Sequence, residues 1–173
     1  MKKIYIAGGW DERVTVVRPY IDKALRAGFT VTLDWTLENG PKDGDGGDSA
    51  LVSEIRLRAA QMDSRAIERA DTFWLLSPGY KGSSGSWWEL GYAMALKKDV
   101  VVSGPNWKRS IFTELVKNRF DMHEEAFAFL TTGRAPVRDY TQKPCNGCLE
   151  NDRATRSLQA PMPGVPHTCG RFL

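Results

Sequence analysis

The chain reads as an α/β protein, a parallel sheet sandwiched between helices, and three features carry that reading. Short apolar runs alternate with longer segments of helical periodicity. The short runs are apolar throughout, as strands buried on both faces must be. Glycines follow several of these runs, where a chain leaving a strand must turn. Residues 4–7 form the first expected strand, ending at Gly8-Gly9. Residues 13–27 carry Val14, Val17, Ile21, Ala24 and Leu25 at helical spacing, and Gly28 is a natural stop. A second strand is expected at 29–33, followed at 39–48 by a mobile loop dense in Gly, Asp and Pro. Residues 53–70 place Ile55, Ala59, Met62, Ala66 and Ile67 on one helical stripe. Strand three follows at 72–76, a helix at 87–97, and strand four at 100–103. Residues 111–116 and 123–130 read as helical, ending near Gly133.

At 173 residues the chain accommodates one domain and an appendage, divided here as 1–133 and 134–173. The second part holds Pro136, Pro144, Pro161, Pro163 and Pro166 and no hydrophobic stripe. It also carries six basic against three acidic residues, which leaves 18 of each sign in the first 133. A neutral core does not suggest a nucleic-acid groove, so nucleic acid is not an expected partner. No apolar run approaches the roughly eighteen residues of a membrane span, and the first residues lead directly into a strand. A cytoplasmic protein with no membrane contact is expected.

In a Rossmann-like sandwich of this kind the ligand crevice lies beyond the carboxyl ends of the strands. Gly8-Gly9, the Gly/Ser-rich segment 77–86 and Gly104 all fall at that edge. The segment Gly85-Ser86-Trp87-Trp88-Glu89-Leu90-Gly91-Tyr92-Ala93 leaves the glycine loop and opens a helix with a carboxylate in its first turns. An acidic residue there can simply complement the helix dipole. It can also face a ligand that approaches the bare backbone. Tyr5 in strand one and Asp63 in the long helix converge on the same edge, whereas Asp71 reads as a helix terminator.

Together, Ile4-Tyr5-Ile6-Ala7-Gly8-Gly9-Trp10, the Asp63 to Asp71 spacing and Gly85…Glu89-Leu90-Gly91-Tyr92-Ala93 resemble the nucleoside 2-deoxyribosyltransferase family over residues 1 to about 130. That family includes base-exchanging transferases and relatives that hydrolyse nucleoside 5′-monophosphates. The resemblance implies a double displacement at C1′ of a nucleoside. It casts Glu89 as the nucleophile, Asp63 as a base-contacting residue able to protonate the leaving base, and Tyr5 as the residue that orients the nucleophile. It also implies a homo-oligomer, a dimer with shared sites, and no cofactor for catalysis.

Within the family, the position six residues before the nucleophile separates the branches. An acidic residue there holds a sugar hydroxyl in the transferases, and a serine binds phosphate in the monophosphate hydrolases. Here it is Ser83. With Gly85 and Ser86 it offers hydroxyls and backbone N–H groups ahead of a helix, a cradle that suits a dianion and that a carboxylate would spoil. Arg13 could add charge at this edge, and Gly8 and Gly9 allow close approach. Trp10 is among the tryptophans, with Trp35, Trp87 and Trp88, that could stack on a base. Thr113, or nearby Ser110, falls where some hydrolases bring a hydroxyl from a neighbouring subunit, although Ser110 also reads as a helix N-cap. Tyr5, where a Phe would leave more room, suggests a 2′-deoxy sugar, because the phenol oxygen crowds a 2′-hydroxyl.

The expected activity is therefore N-glycosidic cleavage of a (2′-deoxy)nucleoside 5′-monophosphate. Base exchange between deoxynucleosides is the alternative enzyme, and a nucleotide sensor or nucleic-acid adaptor the non-catalytic one. In the tail, Cys145-x-x-Cys148 and His167-x-Cys169 supply four ligands of the types that a tetrahedral structural zinc takes. Free thiols are the competing reading of the same residues.

Overall fold

A computed structural model describes residues 1–37, 50–79 and 84–134. The chain divides into two units, Met1–Pro136 and Val137–Leu173, and every described residue lies in the first. The loop expected at 39–48 and the four expected zinc ligands lie outside the described residues.

Among the described residues five parallel strands form one sheet in the order β2-β1-β3-β4-β5. They are β1 (Lys3–Ala7), β2 (Thr30–Val31), β3 (Thr72–Leu76), β4 (Asp99–Ser103) and β5 (Asn118–Phe120). Among the described residues four α-helices connect or flank them: α1 (Arg18–Arg26), α2 (Ala50–Arg69), α3 (Ser84–Ala95) and α4 (His123–Thr132). This is the expected Rossmann-like α/β fold. The chain leaves β1 towards β2 on one side, then crosses through α2 to β3 on the other. The carboxyl ends of β1 and β3 therefore flank a topological switch point, where such sheets open a crevice.

Side chains alternate across the sheet, and this sorts the central strands into two environments. Register pairs Tyr5 with Phe73 and Ile6 with Trp74. Tyr5 and Phe73 stack at 5.8 Å on one face, where Asp63 of α2 and Glu89 of α3 meet the Tyr5 hydroxyl. Trp74 lies on the other face against Tyr20 of α1 and Phe127 of α4. Ile4, Ile6, Phe73, Trp74, Leu75 and Val102 are almost wholly buried. Each fully buried aliphatic or Phe side chain of this kind contributes about 1.5–3 kcal/mol.

Three elements differ from the sequence expectation. The helix expected from residue 13 starts as a π-helical turn, Arg13–Val17, and becomes α-helical only from Arg18. Pro19 has no N–H to donate and its ring crowds the carbonyl four residues back, so a regular ladder cannot run through this point. Residues 111–115 form a 3₁₀ segment that leaves Ile111, Phe112 and Leu115 exposed and buries Thr113. Strand β5 was not expected, because of its three residues only Phe120 is buried. The expected C-terminal stop holds: Gly133, at φ 70°, donates its N–H to the Phe129 carbonyl.

Candidate active site

Two helices direct a carboxylate each at one phenol. On α2, Asp63 precedes Ala66, Ile67 and Ala70, all buried, at the i, i+3, i+4, i+7 spacing that faces the sheet. On α3, Glu89 flanks the stripe of Ser86, Leu90 and Ala93, also buried. The stripes that pack the helices thus carry both acids inward to half-buried positions. The two helices are tied together lower down, where Tyr92 donates to Glu68 at 2.6 Å and the Lys98 ammonium donates to the Glu68 carbonyl at 2.6 Å.

Between the acids stands Tyr5, wholly buried in β1. Its oxygen lies 2.6 Å from Glu89 Oε1 and 3.0 Å from Asp63 Oδ1. Burial, then the charges of Glu89 and Asp63, hold the phenol well above its usual range, so it stays protonated. A phenol has one hydrogen to donate and two carboxyl groups contact it.

The remaining expected site residues are placed as follows. Gly8 and Gly9 are buried at the exit of β1. A side chain at Gly8 would begin 2.5 Å from Val17 Cγ2, so only glycine fits there. Ser86 is buried and its hydroxyl donates to the Gly8 carbonyl at 2.7 Å, which ties the first turn of α3 to β1. Gly85 is half-buried in the same turn. Ser83 lies outside the described residues.

Trp10 is half-buried and stacks on Trp35 at 6.3 Å. The indole N–H of Trp10 is buried with no hydrogen-bond partner, whereas that of Trp35 reaches the Ile6 carbonyl at 2.8 Å. The Arg13 guanidinium packs 4.5 Å from the Trp10 ring centre and donates to the Trp10 carbonyl at 3.2 Å. Thr113 is buried, with its hydroxyl on the carbonyls of Trp107 (2.8 Å) and Ser110 (2.5 Å). Ser110 caps its 3₁₀ segment by accepting the Phe112 N–H at 3.3 Å.

A cleft of about 480 Å³ opens between Pro78, Gly79, Trp87, Arg109, Ser110 and Phe112. Trp87 and Glu89 point about 200° apart on α3, and neither Tyr5 nor Asp63 lines this cleft. The cleft and the carboxylate pair therefore flank α3 on opposite sides.

Two polar groups of the crevice edge carried no sequence signal. Glu12 accepts the Gly79 N–H at 3.1 Å. His123 Nδ1 lies 2.8 Å from Ser103 Oγ, which itself accepts the Trp74 indole N–H at 2.8 Å. Burial lowers the pKa of His123, against the opposing charges of Glu124 and Glu12. These partners come from distant parts of the chain, so no local spacing announces them. Among the described residues no cluster of three or more His, Cys, Asp or Glu could hold a metal ion, and no helix is long and apolar enough to cross a membrane.

No family model and no curated protein sequence matches the chain. Among solved structures it is similar to a CMP N-glycosidase of Clostridium botulinum, BcmB, at 17% identity and a TM-score of 0.51. The likeness covers 77% of this chain and all of that one. At this identity it concerns the fold.

Proposed function

We propose that the protein hydrolyses the N-glycosidic bond of a (2′-deoxy)nucleoside 5′-monophosphate. The observation that carries this reading is the pair of carboxylates, Glu89 and Asp63, held on one buried tyrosine beside the switch point. Both contact a single oxygen atom, so the separation of those two carboxyl oxygens cannot exceed the two contacts laid end to end. That bound lies short of the roughly 6.5–9.5 Å that direct attack by water needs, and so favours double displacement. The similarity in fold to a protein described as a CMP N-glycosidase supports the same chemistry.

Glu89, ionised and accepting the Tyr5 hydrogen, attacks C1′, and the bond to the base nitrogen breaks with its electron pair. Asp63 supplies the proton that the departing base takes up. Water then attacks C1′ of the glycosyl ester, returns a proton to Asp63 and frees Glu89. The products are free base and sugar phosphate. Ser83, Gly85 and Ser86 are assigned to the phosphate end, Ser86 through its backbone N–H because its hydroxyl holds the Gly8 carbonyl, and Trp10 to the base. The homo-oligomer with shared sites belongs to the same proposal, and sedimentation at micromolar concentration tests it.

The deciding experiment incubates the protein with nucleosides, nucleoside monophosphates and deoxynucleoside monophosphates, and measures released base. Release from monophosphates without added acceptor, reduced at least about 10³-fold in Glu89→Gln, is expected. Undiminished release by that variant would remove Glu89 as nucleophile. Product that appears only with an added acceptor base would make the protein a transferase.

A further inference from the structure

Glu12 ends a short 3₁₀ turn, Trp10–Glu12, that follows β1. Its side chain reaches across the switch point to the exit of β3, where Oε2 accepts the Gly79 N–H at 3.1 Å. The carboxylate fills the space that side chains at two glycines would need. A Cβ at Gly9 would stand 2.8 Å from Oε2, and one at Gly79 would stand 2.6 Å from Oε1. On the other side of Gly79, its carbonyl accepts from Arg109 Nη1 at 3.3 Å. An anion thus holds the N–H of this residue and a cation its carbonyl, the polarity that strengthens both contacts.

Gly79 opens the connection from β3 to α3, and Ser86 anchors the far end of that connection on Gly8. Both anchors land on the exit of β1. Ser86 holds the first turn of α3 at that exit, and Glu89 follows Ser86 by three residues on neighbouring helix faces.

We propose that Glu12 is a positioning residue for the reaction at Glu89: by holding the Gly79 N–H across the switch point it fixes the departure of the β3–α3 connection and so the placement of the nucleophile. The catalytic half of this inference rests on the function proposed above, and the structural half does not. The geometry makes reach the operative property of Glu12, since its carboxylate oxygen must span from one loop to the other. Charge alone would act over a range of lengths.

The test uses the 173-residue chain with Glu12→Gln and Glu12→Asp, reading hydrogen exchange at the Gly79 amide by NMR and steady-state base release. Gln keeps the reach and an acceptor oxygen, so it should retain Gly79 protection and a kcat within about 3-fold of wild type. Asp keeps the charge and is one methylene shorter. It should lose the protection and lower kcat by about 10- to 100-fold, the scale of a misplacement near 1 Å, with a smaller change in KM. Equal exchange at Gly79 in all three proteins would overturn the proposal. So would a pattern in which Asp behaves as wild type and Gln does not. If wild type released no base from any substrate, the proposed function would fall, and with it the catalytic half, while exchange would still decide the clamp.

Discussion

Tyr5 owes its chemical state to three neighbours: the sheet that buries it, Glu89 and Asp63. Because all three raise its pKa, the phenol remains protonated throughout the range in which a protein of this kind operates. Tyr5→Phe should therefore lower kcat by about 10- to 100-fold, the size of losing a hydrogen bond to a charged group. It should leave any alkaline limb of the pH–rate profile where it was, which a profile from pH 5 to 10 would check. His123 is the opposite case, with its folded pKa held below the usual 6.5 by burial. The unfolded chain then binds the proton more readily, so stability contributed by the neutral ring is present above pH 6.5 and is lost as pH falls through the folded value. Glu124, lowered chiefly by the hydrogen bond from Tyr20, loses its share in the same direction further into the acid range. Thermal melts at pH 7.5 and 5.5 should show a larger drop for wild type than for His123→Gln. At this scale the meeting of Tyr5, Asp63 and Glu89 at one edge was legible, because each lies in one of the segments that carry the family resemblance. Glu12 and His123 were not. Glu12 meets Gly79, 67 positions away, and His123 meets Ser103, 20 positions away across β5.

The elements were legible where a stripe or an apolar run was long. Strand β3 matched its expected limits, and α2 and α3 appeared in their expected places with longer amino-terminal ends. The start of α1 was misread, since the periodicity of Val14, Val17 and Ile21 ran through Pro19 although the hydrogen-bond ladder could not. Strand β5 was invisible because an edge strand with Asn118 and Arg119 presents no apolar run. The exits of the strands are the sensitive joints between elements. Ser86→Ala would leave the buried Gly8 carbonyl without its donor, at a cost of about 1–3 kcal/mol in chemical denaturation. Gly104, at φ 103°, has no room for a methyl group, which would start 2.5 Å from His123 Cε1 and 2.8 Å from Ser77 Oγ. Gly104→Ala combines a disfavoured backbone with overpacking and should cost about 2–4 kcal/mol in the same measurement.

For the whole chain, the proposed structural zinc predicts about one equivalent of metal in the purified 173-residue chain by elemental analysis. Cys145→Ser and Cys148→Ser should each lose it, with base release retained because no catalytic role is assigned to it. The pleat of the strands has a wider consequence. Neighbouring residues of β1 and β3 alternate between a floor for the acids and a pillar of aromatic rings, with Tyr5 and Phe73 on one side and Ile6 and Trp74 on the other. The two sides of a single sheet can therefore drift under different demands. Changes around Tyr20, Trp74 and Phe127 would tune how hot the protein can run, and changes around Asp63 and Glu89 would tune the chemistry proposed for it. A lineage built on this frame could exchange one substrate for another without first rebuilding its foundations.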